Sequence, residues 1–355
     1  MRKLLNLFSL KKEAWLFDSR LYILKSFLSV ITVYAIASYS PLLKKDMISL
    51  LFGLLLTLEP VTLTGIRSGF NQISATILGA ICTAIIITLF GINIWTVALS
   101  ITVTLFVCLK INWKVISAVA LFTSIYMTQY VQMDASGLPS AYLTFQVRIA
   151  ALSTGVLVAI LYNFLFSLFS YKKMEVKRIS YILHSMTSNI NNILEGIYTN
   201  NMQAIANEKP VLTHIFSDID STYHLLLDKE KEYNFKDKLH LPTKINYNRS
   251  LKTIITCCNN ITHLIYDINY TILDYNDLDI DKNICNQMKV VTELLETYGT
   301  HFENNNMNYS VELNFDYALK DKLTIQNDMN YRIIHNLEGI YNNLSTVHEE
   351  IINNI

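Results

Sequence analysis

The chain has 355 residues, of which 51% are apolar, and its mean hydropathy of +0.28 excludes an ordinary water-soluble protein. Its formal net charge is zero, but residues 1–170 carry 12 Lys and Arg against 5 Asp and Glu, whereas residues 171–355 carry 17 against 24. Because the acidic half also has no long apolar run, we expect the two halves to be placed in two different solvents.

The first 20 residues are predicted to form an amphipathic helix that lies on the membrane surface. Their apolar run is about seven residues long, is interrupted by Asn6 and Ser9, and ends at Lys11 and Lys12. Since the run is short and no small-residue cleavage site follows it, we do not expect a signal peptide.

Residues 21–170 are predicted to form six transmembrane helices, because a helix needs about 20 mostly apolar residues to cross a bilayer. The six apolar segments are 22–39, 47–63, 70–90, 94–109, 115–131 and 141–169. In the short connections, twelve Lys and Arg fall on one side, and only Lys44 and Lys45 fall on the other. This asymmetry predicts that both termini lie in the cytoplasm. The membrane itself is expected to be a bacterial plasma membrane.

Residues 171–355 show amphipathic helical periodicity and are predicted to form a cytoplasmic all-α domain. Apolar stripes run through 179–197, 254–272, 285–302 and 333–351, with a weaker one through 212–226. Helix breaks are expected near Pro210, near Pro242, at 276–281 and at 304–308. Four or five such helices can share the core of an antiparallel bundle, or the narrow stripes can be dimerisation seams.

Three ionisable residues, Lys25, Glu59 and Arg148, are predicted to lie within the membrane. Because a charged side chain is costly there, each of them is a candidate functional residue. At about 1.5 Å per residue, Lys25 and Glu59 lie at similar depths of roughly 5 and 9 Å and can pair. Arg148 is expected in the outer half of the last helix, without a carboxylate at its level. Alternatively, Lys25 and Arg148 extend to the headgroups, or Lys25 and Glu59 form a purely structural ion pair.

Glu59 stands in the string LTLEPVTLTG, which predicts a loosened, polar end of the second membrane helix. Pro60 lacks a backbone N–H group, and hydroxyl groups come from Thr57, Thr62 and Thr64. Such a segment is tolerated in a membrane only against protein or a water-filled cavity. This string is therefore the best indication of a transport path.

Patterns typical of an enzyme or a metal site are missing from the sequence. It contains no GxxxxGK[ST], HExxH or GxSxG string, and its five cysteines have neither a CxxC pair nor the spacing of zinc ligands. The eight histidines all follow residue 170, and no two of them are four residues apart. We therefore expect no enzymatic activity, no cofactor, no metal and no nucleic-acid partner.

The third and last predicted membrane helices carry a family resemblance. The string GIRSGFNQISATILGA at 65–80 and the string RIAALSTGVLVAILYNFLF from Arg148 are similar to the aromatic acid exporter and fusaric acid resistance family. The positions that match the family's motifs are Thr76, Gly79, Arg148 and Asn163. Gln72 stands where the motif has Arg, Ala75 stands where it has its first Gly, and Arg67 substitutes only in part.

This resemblance implies that the protein exports aromatic carboxylates and that the export is coupled to protons. It also implies six-helix units in membrane lipid that work in pairs, either fused in one chain or as a homodimer. Glu59 would carry or gate the coupling proton, and Arg148, helped by Arg67, would attract the carboxylate. The remaining candidate residues of the path are Lys25, Gln72, Thr76 and Asn163. Plant aluminium-activated malate transporters look similar in layout, so a passive organic-anion channel is one alternative. A non-transporting membrane scaffold whose acidic bundle docks a cytoplasmic partner is another.

Overall fold

The structure is a computed structural model that describes residues 20–59, 61–111, 113–129, 131–133, 136–168, 174–238, 244–275, 280–304 and 328–354. Within these ranges the chain forms twelve helices and one two-stranded β-ribbon. The described residues separate into two compact units, one up to residue 168 and one from residue 174. The amphipathic helix predicted over residues 1–20 falls outside the described residues, apart from Arg20.

The first unit contains seven helices and the β-ribbon. They are α1 (Arg20–Tyr39), α2 (Pro41–Lys44), α3 (Met47–Thr57), α4 (Thr62–Phe90), α5 (Ile94–Ile111), α6 (Trp113–Gln129), β1 (Gln132–Met133), β2 (Pro139–Ser140) and α7 (Ala141–Leu168). The ribbon is antiparallel, with Gln132 opposite Ser140, and it was not predicted because two-residue strands leave no periodicity in the sequence.

Three of these helices are long and apolar enough to cross a membrane. They contain the spans Tyr22–Tyr39, Thr62–Phe90 and Ala141–Phe166. The helices Met47–Thr57 and Ile94–Lys110 are apolar but shorter. We call α1 to α7 the membrane unit. The prediction that all six apolar segments cross the membrane stays a proposal.

The predicted helix over 47–63 is wrong, because α3 ends at Thr57 and α4 begins at Thr62. Leu58 has left the helical region, with a φ of −70° and a ψ of 103°. Proline has no N–H group to continue a helix and disfavours helical dihedrals in the residue before it, so Pro60 explains the break. With 11 residues, α3 is about 17 Å long, too short to cross about 30 Å of hydrocarbon alone.

Close helix packing places α3 directly against α7. A Cβ atom on Gly155 would collide with the carbonyl oxygen of Leu50 and would lie 2.9 Å from the backbone nitrogen of Leu54. Only a glycine allows two backbones to approach this closely. The polar groups at both ends of α3 are therefore held at fixed positions relative to α7.

The second unit is a bundle of five helices, α8 (Met174–Tyr198), α9 (Met202–Lys238), α10 (Ile245–Tyr275), α11 (Lys282–Asn304) and α12 (Asp328–Asn354). One continuous hydrophobic core contains side chains from every one of them, such as Ile190, Leu212, Ile261, Leu295 and Leu344. The apolar stripes of the sequence therefore meet within one chain and are not dimerisation seams.

The helix break predicted near Pro210 is wrong, because α9 continues through this proline. The chain turns earlier instead, at Asn200, which has a φ of 51°. Pro210 cannot donate a hydrogen bond to the preceding turn, but two buried amides from neighbouring helices donate there. Asn269 donates to the carbonyl of Ile205 at 2.9 Å, and Asn189 donates to the carbonyl of Glu208 at 3.3 Å.

We expect the Asn269→Leu substitution to destabilise the first turns of α9 by about 1–3 kcal/mol, because it leaves the buried carbonyl of Ile205 without this donor. Hydrogen-exchange mass spectrometry of the full chain should show faster exchange in that segment, by about 5- to 150-fold. The matched control is Asn260→Leu on the same helix, since Asn260 is exposed and its described hydrogen bond is to the side chain of Asn343. Equal protection of α9 in both variants would contradict the stabilising role of Asn269.

Candidate functional site

The end of α3 exposes backbone carbonyls that have no partner within the helix. Four consecutive carbonyls, 56–59, instead accept hydrogen bonds from side chains of three other helices. The donors are Ser68 of α4, Asn163 of α7, and Tyr22 and Lys25 of α1, at 3.0, 2.8, 3.2 and 2.8 Å from the oxygens of Leu56, Thr57, Leu58 and Glu59, respectively. The break is therefore a fully capped element of the membrane unit.

Lys25 caps α3 with its ammonium group. Its side chain has no exposed surface, so it does not extend to the headgroups. The described hydrogen bond runs from Nζ to the carbonyl oxygen of Glu59, and the Glu59 carboxylate also attracts the ammonium group electrostatically. A cation is stabilising at a helix C-terminus, where the helix dipole is negative. Lys25 therefore meets residue 59 chiefly through its backbone carbonyl, and a role of the two side chains in transport stays a prediction.

Asn163 fixes the same segment from α7. Its Nδ2 donates to the carbonyl of Thr57 at 2.8 Å, and its Oδ1 accepts the N–H of Glu59 at 3.3 Å. Gln72 of α4 donates to Thr57 Oγ1 at 3.1 Å. Both backbone groups of Glu59 are therefore engaged by side chains of other helices.

The opposite end of α3 carries a carboxylate. Asp46 is the N-cap residue, and its Oδ1 accepts the backbone N–H of Ser49 at 2.9 Å. A negative charge is stabilising at a helix N-terminus, as a positive one is at the C-terminus. The short helix α3 is therefore a dipole with Asp46 at one end and Lys25 at the other.

Arg148 of α7 lies beside Asp46, with 3.7 Å between Nη1 and Oδ2. The expectation that Arg148 has no carboxylate at its level is therefore wrong. The hydroxyl of Ser49 accepts a hydrogen bond from Nη1 and donates one to Asp46, and Nη2 donates to Thr123 at 3.3 Å. The guanidinium carbon also lies 4.3 Å from the ring centre of Tyr126.

One donor of this guanidinium is unused. Arg148 Nε is buried and has no hydrogen-bond partner among the described residues. Nε and Nη2 form one edge of the guanidinium, which is suited to binding a carboxylate through two parallel hydrogen bonds. Because Nη2 makes only a long hydrogen bond to Thr123, this edge has capacity for an anionic ligand.

An apolar pocket of about 160 Å³ has Arg148 in its wall. The other lining residues are Ile48, Phe52, Phe122, Ile125 and Tyr126. Phe52 and Phe122 meet edge to face with 5.5 Å between ring centres. An apolar cavity of roughly 150 Å³ holds one benzene ring, so this volume suits a single aromatic ring. Aromatic walls and one guanidinium are chemically matched to a ring that carries a carboxylate.

The candidate residues predicted from the sequence therefore fall into separate places. Lys25, Glu59, Gln72 and Asn163 meet at the break after α3, whereas Arg148 lies at the other end of that helix. Arg67 is exposed on α4 and does not line the pocket. Thr76 is buried one turn after Gln72, and no described residue bonds its hydroxyl.

Two residues of the site, Asp46 and Tyr22, were missed by the sequence analysis. For Asp46 a signal was available, because an Asp three residues before Ser49 at the start of an apolar run is a typical N-cap pattern. Tyr22 carries no comparable signal, because its hydroxyl becomes relevant only when α1 packs beside the end of α3.

Comparison with known proteins gives a family for the membrane unit. Residues 23–166 match the family model described as aromatic acid exporter family member 1. A UPF0421 protein of Staphylococcus epidermidis is 30% identical over 113 residues, which are 31% of this chain and 32% of the relative. A UPF0421 protein of Staphylococcus haemolyticus is 25% identical over 226 residues, which are 60% of this chain and 63% of the relative.

The chain thus spans less than two thirds of the length of either relative. No solved structure matches it. The family match runs from α1 to α7 and confirms the resemblance predicted from the third and last membrane segments: residues 23–166 are similar to the aromatic acid exporter family.

Proposed function

We propose that this protein exports small aromatic carboxylates from a bacterial cell and that the proton gradient drives the export. The observation that carries the proposal is the pocket in which Arg148 is surrounded by Phe52, Phe122 and Tyr126. The family match supports a membrane transporter, since the matching family is one of exporters and not of enzymes.

Binding follows from the chemistry of the pocket. A guanidinium group stays charged at any physiological pH, so Arg148 selects anions. The substrate carboxylate takes the Nε and Nη2 edge, and its ring packs against the aromatic side chains, which prefer edge-to-face or offset contacts. A pocket of about 160 Å³ has room for one aromatic ring.

Proton coupling is assigned to Glu59 in this proposal. Its backbone is fixed by Lys25 and Asn163, and its side chain is only partly buried beside the Lys25 ammonium group. Gln72 and Thr76 continue the polar face of α4 beside the break, and Arg67 attracts anions at the exposed surface of that helix. The two ends of α3 then serve the proton and the carboxylate separately.

We further propose that six helices cross the plasma membrane with both termini in the cytoplasm. Large apolar side chains such as Phe27, Phe70 and Trp95 are 62, 71 and 83% exposed in the membrane unit, which supports a lipid environment around it. A cysteine introduced at Leu138 should then react with an impermeant reagent from outside. One introduced at exposed Thr346 should react only after permeabilisation. The opposite labelling pattern would refute this orientation.

We also propose that the protein works as a two-fold homodimer, because the six-helix units of the related fused proteins work in pairs. Mass measurements in mild detergent and in lipid discs test this assembly. A monomer mass in both media at every concentration would refute it.

Efflux from proteoliposomes tests the function directly. The panel contains benzoate, its hydroxylated derivatives and aliphatic acids of similar size, each with and without a pH gradient, and protein-free liposomes serve as the control. We expect benzoate-type acids to be exported and the gradient to accelerate their export. Export at a rate independent of the pH gradient would instead identify a passive anion channel. If no acid is transported, the result would favour a non-transporting membrane scaffold.

A further inference from the structure

We propose that the pocket beside Arg148 opens sideways to the lipid, between α3 and α6, and that it takes amphiphilic aromatic acids whose apolar substituent extends through this opening. The inference rests on the proposed function and deepens it, because it names a substrate class and the route by which the acid leaves the pocket. It starts from the exposure of the side chains that line the pocket.

The side chains that line the pocket form a buried inner end and an exposed outer end. Arg148 and Tyr126 are buried and form the inner end. Ile48, Phe122 and Ile125 are 59, 53 and 41% exposed, respectively. A cavity is open on the side where its lining residues have exposed surface, so these three residues, which we call the mouth, surround its entrance. The pocket therefore has a cationic inner end and an apolar mouth.

The mouth lies between two helices whose main neighbours differ. α3 packs chiefly against α7, whereas α6 packs chiefly against α4 and α5. Phe52 of α3 and Phe122 of α6 meet edge to face in the wall between them. An exposed side chain such as that of Phe122 changes its rotamer within nanoseconds, whereas the backbone contact of α3 with α7 at Gly155 is close and fixed. The α3–α6 side of the pocket is therefore the side that can widen when a ligand passes.

Lipid, and not water, is the medium outside the mouth in the proposed arrangement. All three mouth residues have hydrocarbon side chains, for which acyl chains are the favourable surroundings. Ile48 follows exposed Lys44 and Lys45 within four residues, and lysines at a helix end extend their ammonium groups to the headgroups. A leaving carboxylate thus travels about one helical turn, roughly 5 Å, to reach the headgroups. Because this level is on the outer side in the proposed orientation, an acid that leaves through the mouth is released outward, as export requires.

The orientation of a bound acid follows from these two ends. Its carboxylate binds Arg148 at the inner end, and one benzene ring fills the pocket volume of about 160 Å³. The para position of a ring lies opposite its carboxylate, so a para substituent points from Arg148 towards the mouth. An alkyl substituent can pass the mouth into acyl chains, whereas a second carboxylate would lose its water among hydrocarbon side chains. The pocket should therefore accept 4-butylbenzoate and reject benzene-1,4-dicarboxylate.

Competition with radiolabelled benzoate, measured on the full chain in lipid discs, tests this selectivity. We expect 4-butylbenzoate to displace benzoate from the wild-type protein, and benzene-1,4-dicarboxylate to bind at least about tenfold more weakly than benzoate. The Ile125→Trp variant narrows the mouth and leaves Arg148 in place. It should bind benzoate as the wild-type protein does, but its Kd for 4-butylbenzoate should be roughly 5- to 150-fold higher. Partition of each acid into the lipid is the same for both proteins, so it cancels in this comparison.

The matched control is Ile85→Trp, because Ile85 is exposed on α4 and does not line the pocket. This variant should retain the wild-type Kd for all three acids. In a background in which the three native tryptophans are replaced by Phe, lipids brominated on their acyl chains should quench the fluorescence of Ile125→Trp and of Ile85→Trp. Quenching in both variants places the mouth, like the control position, in contact with lipid.

Two results would overturn the inference. One is a wild-type protein that binds benzoate but not 4-butylbenzoate, which decides the matter even if Ile125→Trp does not fold. The other is an Ile125→Trp variant whose fluorescence is not quenched, which would mean that a second copy of the chain covers the mouth. In both cases the proposed export function survives, whereas a complete lack of aromatic acid binding and export refutes both.

Discussion

We expect the Arg148→Met variant to lose about 3–5 kcal/mol of unfolding free energy, because it leaves a buried carboxylate without its counter-ion. Asp46 has no exposed side-chain surface, and Arg148 is its ion-pair partner. Methionine fills most of the space of the arginine stem, so the loss reports chiefly the missing charge. Thermal and denaturant unfolding of the full chain in detergent, followed by circular dichroism, measures it.

The double variant Asp46→Asn with Arg148→Met separates charge from packing. Asparagine retains the N-cap, and no buried charge remains unpaired, so most of the lost stability should return. The double variant should nevertheless fail to bind benzoate, because the guanidinium is gone. Arg67→Met on the exposed face of α4 is the matched control and should change stability little. Equal losses in the single and double variants would show that the ion pair does not stabilise the fold.

The sequence predicted which charges lie at membrane depth but not how they are paired. Lys25, Glu59 and Arg148 were identified because each interrupts an apolar segment, which is a local property. The contact of Arg148 with Asp46 joins residues 102 positions apart and depends on the approach of α7 to α3 at Gly155. No spacing rule reports such a contact, because it arises only from the packing of the helices.

Helix boundaries show the same division between local and tertiary causes. The periodic stripes predicted the bundle well, since a 3.6-residue repeat is a local pattern. The prediction at Pro210 was wrong because α9 continues through the proline, where its first turns are held by contacts with Asn189 and Asn269 of other helices. At Pro60 the sequence predicted only a loosened helix, whereas the structure has a complete break. Side chains of α1, α4 and α7 cap four backbone carbonyls there, which allows the helix to end.

The expected function of Glu59 can be tested without disturbing this break. We predict that Glu59→Gln inserts and folds normally, because residue 59 contacts Lys25 and Asn163 through backbone groups that the substitution preserves. A coupled wild-type exporter should sustain about a tenfold benzoate gradient per unit of pH gradient, if one proton moves per anion. The variant should sustain no gradient beyond the passive distribution of benzoic acid in protein-free liposomes, although downhill export continues. The measurement is the steady-state benzoate ratio across proteoliposomes at several imposed pH gradients.

The capping role of Lys25 supplies the decisive comparison for Glu59. If the carboxylate serves only as a partner of the Lys25 ammonium, Glu59→Gln should destabilise the protein, and adding Lys25→Met should restore stability with coupling intact. If the carboxylate carries the proton, the double variant remains uncoupled, and loss of the cap on the Glu59 carbonyl lowers its stability further. An undiminished benzoate gradient in the single variant would place the coupling site elsewhere.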